Sequence, residues 1–152
     1  MTALALLAAA QILFAGGSWA AIDRGASCEA TTRALLVVAK GKVQARAGFA
    51  FDASGSRNGQ FFAQLSRAPR PGSTVLLTIG ERRFLLMARN GWAWSSGRAQ
   101  EQAMIAAARS AGGMRIEGRD ASGSRFVDRY LLDAAATAID AAAARCAGKS
   151  GS

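Results

Sequence analysis

The chain has 152 residues, 51% of them hydrophobic, which suits one domain with its own core and excludes a disordered polymer. Lys and Arg number 19 against 10 Asp and Glu, a net charge of +9, and there is no histidine. That removes the commonest general base and the commonest transition-metal ligand, while the positive charge admits a polyanionic partner: nucleic acid, an anionic polymer or lipid.

Much of the hydrophobic total is alanine, so elements are read from the bulky positions. Ala3 to Ala15 is apolar and uncharged, shorter than a membrane span of about 20 residues, and similar to the hydrophobic region of a signal peptide. Small residues suited to cleavage stand at Ala8-Ala9-Ala10 and again at Ala15-Gly16-Gly17. No Lys or Arg precedes Arg24, so the positive segment of a signal is missing, and a buried N-terminal strand or helix is the other reading. The expected organisation is a signal-like segment over 1–16, one β-rich domain over 17–148 and a loose tail over 149–152.

Strands are expected at Trp19–Ile22, Leu35–Ala39 and Val43–Phe51, the last from its period-two alternation. The hexapeptide Asp52-Ala53-Ser54-Gly55-Ser56-Arg57 then recurs unchanged as Asp120 to Arg125. Asp, Ser and Gly supply local side-chain bonds and positive φ, so both copies read as hairpin turns. Gln60 to Leu65 is the next strand, broken by Pro69 and Pro71. Ser73 to Trp94 follows: two apolar runs around Gly80-Glu81-Arg82, a hairpin pattern. Aliphatic residues on both of its faces predict a central pair covered on both sides.

Ala99 to Ala111 is built of strong helix formers and stopped by Gly112-Gly113. Met114–Arg119 and Phe126–Leu132 alternate as strands around the second hexapeptide. Thr137-Ala138-Ile139-Asp140 resembles a capping box and opens a last helix, with Ile139, Ala142, Ala143 and Cys146 on its inner face. The fold class is therefore α+β: a mostly antiparallel, β-sandwich-like sheet of about six to eight strands, with short helices near 98–111 and near 137–147.

The cysteines, Cys28 and Cys146, lie near opposite ends and have no metal-ligand spacing. In an exported chain they suggest one disulfide tying the ends together; two separate buried thiols are the alternative. Asp128 is the acid on what reads as an inward strand face beside Phe126 and Tyr130. It is either a general acid of raised pKa or an acceptor for backbone or arginine donors. Trp92 and Trp94 share a strand face and either stack a ring-shaped ligand or cover the sheet. Arg67, Arg70, Arg82, Arg83 and Arg89 lie in turns and strand ends around the hairpin and form a candidate anion-binding edge. The arginines are scattered, so no specific nucleic acid is predicted. No catalytic, cofactor or metal residues are assigned.

Trp19 and Cys28, Ile79-Gly80 with Phe84-x-Leu86, Trp92 to Trp94, and Gly113-Met114-x-Ile116 occur in order. Gly123, Asp128-x-Tyr130-x-Leu132, Ala138 and Cys146 complete the series. In this the chain resembles the invasion-associated locus B family of small exported bacterial proteins. The resemblance is strongest from Ser73 to Cys146. It implies an export signal, a β-rich fold with flanking helices, a periplasmic or envelope location and an envelope or host-surface partner, without an established enzymatic activity. The chain lacks the further cysteines common in that family, and Asp133-Ala134-Ala135 replaces a glycine usual there.

Overall fold

A computed structural model describes residues 9–149. Among these residues ten strands form one antiparallel sheet, accompanied by two helices. The first five strands are β1 (Gln11–Gly16), β2 (Trp19–Asp23), β3 (Ser27–Arg33), β4 (Arg46–Asp52) and β5 (Asn58–Gln64). The next three are β6 (Val75–Ile79), β7 (Arg82–Arg89) and β8 (Trp92–Trp94), followed by α1 (Arg98–Ser110). The chain ends with β9 (Gly113–Arg119), β10 (Arg125–Leu131) and α2 (Ala135–Ala147).

The strand order is β1-β2-β3-β4-β5-β8-β7-β6-β9-β10. β7 belongs to two layers. Arg82 to Leu86 pairs with β6, and Met87 to Arg89 pairs with β8. The sheet thus turns a corner within one strand, as sandwiches do when a strand passes between layers. Its far edge returns to its start: the Leu35 amide donates to Arg129 O at 2.8 Å, and the Trp19 indole N–H donates to Leu131 O at 2.9 Å. The α+β, mostly antiparallel class expected from the sequence is the observed one.

The core lies inside this curl. Phe49, Phe61, Leu77 and Ile116 are fully buried from four different strands. Trp19 stacks on Phe49 at 6.4 Å, and Phe49 meets Phe61 edge-on at 5.4 Å. The Trp19 bond to Leu131 lets a large ring fill the core without stranding its N–H. α2 packs across β1 to β4, and α1 against β5, β6 and β7. Ile139, Ala142 and Cys146 of α2 and Met104 and Ala108 of α1 point inward. Alanines on these faces let the helices approach the sheet closely.

Several expectations are corrected. Leu35 to Ala39 is not a strand; it belongs to the loop between β3 and β4, which also takes Val43 to Ala45. β3, with its polar sequence Ser-Cys-Glu-Ala-Thr-Thr-Arg, is a strand the pattern did not announce, and β1 fits the strand alternative to a signal segment over the end of the N-terminal apolar run. Within the β6–β7 hairpin, β6 is covered on both sides, Leu77 and Thr78 both being buried, but β7 is covered on one side only. Leu85 and Met87 are 61% and 51% exposed, while Phe84 on the other face is buried. No capping box opens α2: the helix starts two residues earlier, after Ala134 in the left-handed region at φ 68°, with no side-chain cap. Lys149, expected in a loose tail, is held instead, its Nζ donating to Asp23 Oδ1 at 2.6 Å. Residues 1–8, and with them most of the signal-like run, lie outside the described residues, as do residues 150–152.

Two strand pairs depend on a glycine beneath an aromatic ring. Gly48 on β4 faces Phe62 on β5, and Gly118 on β9 faces Phe126 on β10. A Cβ on Gly48 would stand 2.0 Å from Ala30 O, with the Phe62 ring 3.0 Å away. The missing side chain is therefore what allows β3 and Phe62 to close over β4.

Both hexapeptides are hairpin turns, but they close differently. In the first, the Asp52 amide donates to Arg57 O; in the second, the Asp120 amide donates to Ser124 O. The first loop contains one residue more, and the register of β4 and β5 shifts beside it between Ala50 and Phe51. Gly55 and Gly123 adopt φ of 79° and 86°, and each donates its amide to the backbone oxygen of its Asp.

Candidate functional site

The loop between β3 and β4, residues 34–45, carries the sequence Ala-Leu-Leu-Val-Val-Ala-Lys-Gly-Lys-Val-Gln-Ala. Such an aliphatic run normally enters a sheet. Here the neighbouring positions are already filled, since β4 pairs with β3 directly from Arg46 onward. The run is pushed outward, leaving Leu35 54%, Leu36 74%, Val37 73% and Val43 48% exposed. Lys40 and Lys42 flank Gly41, whose φ is 91°, at the loop's turn.

The loop is held in shape from beneath. The Ala34 amide donates to Ala45 O at 2.9 Å and closes its base. The Gln44 side chain accepts from the Val38 amide at 3.2 Å and donates to Leu36 O at 3.1 Å. The Lys42 amide donates to Ala39 O at 3.1 Å. Behind the loop lies a largely apolar cavity of ≈ 310 Å³, walled by Leu35, Leu36, Val38, Ala45, Val127 and Asp128.

Asp128 stands in this wall, 5% exposed, its Oδ2 accepting from the Ser66 amide at 2.9 Å. This fixes the start of the β5–β6 connection to β10, the accepting role set against the acid role in the sequence. Next along β10, the Tyr130 hydroxyl is buried and makes no hydrogen bond among the described residues. Burial first, and then the Asp128 charge, push its pKa well above that of an ordinary phenol. Among the described residues no cluster of three His, Cys, Asp or Glu is arranged to hold a metal ion. None of their helices is long and apolar enough to cross a membrane.

The arginine edge is divided. Arg67 Nη1 pairs with Asp120 Oδ2 at 2.8 Å, and the Arg82 guanidinium lies 5.5 Å from the centre of the Phe84 ring. Arg70 and Arg89 border one hollow of ≈ 490 Å³, together with Pro69, Pro71 and Asn90. Arg82 and Arg83 begin β7 and Arg89 ends it, about 20 Å away along the strand. The fold thus brings Arg70 and Arg89 to one hollow, ties Arg67 to Asp120 in the turn beside it, and places Arg82 and Arg83 at the other end of β7.

Trp92 and Trp94 lie on the outer face and cover the sheet. Their neighbour on that face is Phe62, which pairs with Trp94. The Arg46 guanidinium sits between rings, 5.4 Å from the Phe62 centroid and 5.6 Å from that of Trp92. Trp92 remains 38% exposed.

The two cysteines are joined: Cys28 and Cys146 form a disulfide with Cα atoms 5.9 Å apart and a sequence separation of 118. A structural disulfide is compatible with an oxidising, extracytoplasmic location. Beside it, Asp23 accepts from Arg145 Nε at 2.8 Å, from Lys149 Nζ at 2.6 Å and from the Gly25 amide at 2.8 Å. The Lys149 bond, then the Gly25 and Arg145 bonds, hold the Asp23 carboxyl well below the usual carboxylate range, against the opposing effect of burial.

The exposed loop and the Asp23 cluster are the functional and structural features that the sequence reading missed. The loop carried one signal, Lys-Gly-Lys, a charged break in an aliphatic run. The side-chain partners of Asp23, Arg145 and Lys149, are more than 100 positions away in sequence and carried none.

The chain matches no protein-family model, no curated protein and no solved structure. Its class therefore rests on its own geometry: a disulfide-tied α+β protein with a curled antiparallel sheet and a projecting aliphatic loop.

Proposed function

We propose that this is an exported protein of the bacterial envelope that works by surface contact and not by catalysis, as its resemblance to the invasion-associated locus B family implies. The observation that carries the reading is the Cys28–Cys146 disulfide. It joins β3 to the last helix and serves the whole fold, so it belongs in a compartment where thiols stay oxidised. The apolar loop of residues 34–45 and the basic surface supply the contact.

The two cleavage positions in the N-terminal run differ in consequence. A cut at Ala15–Gly17 would remove most of β1, whose Leu13 and Phe14 pack on the core. A cut after Ala10 leaves β1 whole and keeps Gln11, whose Oε1 accepts from Arg145 Nη2 at 2.9 Å. The reading therefore favours a mature chain starting at Gln11.

The test is expression of the full chain in a bacterial host, followed by fractionation, N-terminal sequencing and intact-mass measurement without reductant. Expected is envelope-fraction protein beginning at Gln11, with a mass two hydrogen atoms below that of the reduced form. Cytosolic protein with Met1 intact and two free thiols would overturn the proposal. A periplasmic enzyme using Asp128 is the competing reading. Hydrolase screening of the purified protein, with turnover abolished by Asp128→Asn while the fold is retained, would replace contact by catalysis.

A further inference from the structure

We infer that the β3–β4 loop is a membrane-docking element that inserts its aliphatic side chains into a bilayer of anionic phospholipid. The inference deepens the surface-contact reading by naming the partner. Its premise is that four large aliphatic side chains, Leu35, Leu36, Val37 and Val43, project into water from one short loop. Single exposed apolar residues are ordinary on a protein surface; a contiguous group is a sign of a surface that gets covered.

Three observations select a lipid surface as the occupant. The first is charge. Lys40 and Lys42 sit among the aliphatic residues, and Arg33 and Arg129 flank the loop's base. No Asp or Glu occurs between Glu29 and Asp52 in the sequence. The one carboxylate in the wall behind the loop, Asp128, is buried and accepts from the Ser66 amide, so the aliphatic residues and the cations around them complement a layer of phosphates above hydrocarbon. Lysine suits the boundary, because its stem can lie in the apolar layer while its ammonium stays with the headgroups.

The second observation is preorganisation. The Gln44 bonds to Val38 and Leu36, and the Ala34–Ala45 closure, hold the aliphatic side chains outward before any partner arrives. Little ordering is then lost on binding. The third is shape. Leu36 and Val37, 74% and 73% exposed, are the most open of these side chains, while Leu35 and Leu36 also wall the cavity on the side of β10. Side chains this open enter a deformable layer readily, whereas a rigid protein partner would need a matching hollow.

The experiment uses the purified, oxidised full chain and extruded vesicles, read by co-sedimentation and by Trp fluorescence. One set is pure phosphatidylcholine; the other contains 30% phosphatidylglycerol. Expected is partitioning at least tenfold stronger onto the anionic vesicles, weakening severalfold between 50 and 300 mM salt. L36N/V37N should lower it tenfold or more. K40Q/K42Q should remove most of the preference for anionic lipid. All four positions are exposed, and circular dichroism checks that each variant keeps the native fold.

Failure of the wild-type chain to bind anionic vesicles at low salt would overturn the inference. So would binding that both variants leave intact. A concentration-dependent dimer in sedimentation velocity, abolished by L36N/V37N without any vesicle binding, would assign the loop to a second copy instead. Because the vesicles receive purified protein, a negative result here leaves the export experiment untouched, and a cytosolic location there leaves this one untouched.

Discussion

Asp23 and Cys28 stand opposite each other across the β2–β3 pair, and the end of α2 grips both. Cys28 is bonded covalently to Cys146, and Asp23 accepts from Arg145 one residue earlier in the helix and from Lys149 just beyond it. A covalent and an ionic link thus fix the same helix end to neighbouring points on the sheet. Either link holds part of the geometry that the other needs.

The covalent link should dominate. Closing a loop over 118 positions is worth about 4–5 kcal/mol by chain entropy. The Cys28→Ser/Cys146→Ser variant is expected to unfold at a markedly lower urea concentration than the oxidised chain. Equal midpoints for the oxidised chain and the double variant would contradict this.

The ionic link should show in pH. The native pKa of Asp23 lies below its unfolded value, which is near 3.9. The native state therefore holds fewer protons, and the contribution is complete above that unfolded value and fades as pH falls toward the lowered native one. Asp23→Asn should cost about 2 kcal/mol at pH 7, the scale of a charged hydrogen-bond cluster. The gap from wild type should narrow steadily below about pH 4. Urea titrations of both proteins at pH 7, 4.5 and 3 measure it, and a gap that widens in acid would refute the assignment.

Glycines separate by what surrounds them. Gly48→Ala places a methyl group against Ala30 O, a backbone atom that cannot step aside, and is expected to cost about 3 kcal/mol or more. Gly112→Ala meets nothing within 4 Å and needs no positive φ, so it should stay within about 0.5 kcal/mol of wild type. Thermal unfolding of the pair provides the comparison.

The two hexapeptide turns should titrate through different arginines. Asp52 is paired with Arg57 of its own turn, whereas Asp120 is paired with Arg67 from the β5–β6 connection, and Arg125 turns to Glu117. Bonds from Ser122 first, then from Arg67, lower the Asp120 carboxyl to about 2. In a carboxyl NMR titration, Arg67→Ala should raise Asp120, and Arg125→Ala should leave it in place while raising Glu117. The reverse pattern would mean that the second copy behaves like the first.

The arginine arrangement illustrates how a repeated sequence can be legible and still incomplete. Turn chemistry is local, so Asp, Ser and Gly announced both hairpins. The size of each loop is set by the strands it joins. A register shift in β4 and β5 adds a residue to one copy and not to the other.

What the sequence alone determined was local in origin. Alternation at period two marked β4, β6, β9 and β10, alanine-rich runs marked both helices, and the lone cysteine pair marked the tie between the ends. Each is a property of neighbouring residues or of a residue type that has one candidate partner. Tertiary structure alone decided which surfaces meet. Leu85 and Met87 face water because no layer covers that side of β7, and Leu35 to Val37 leave the sheet because β3 and β4 already satisfy each other's backbone bonds. A side chain's apolarity states what its burial would gain, but whether anything lies opposite it depends on chain segments far away in sequence.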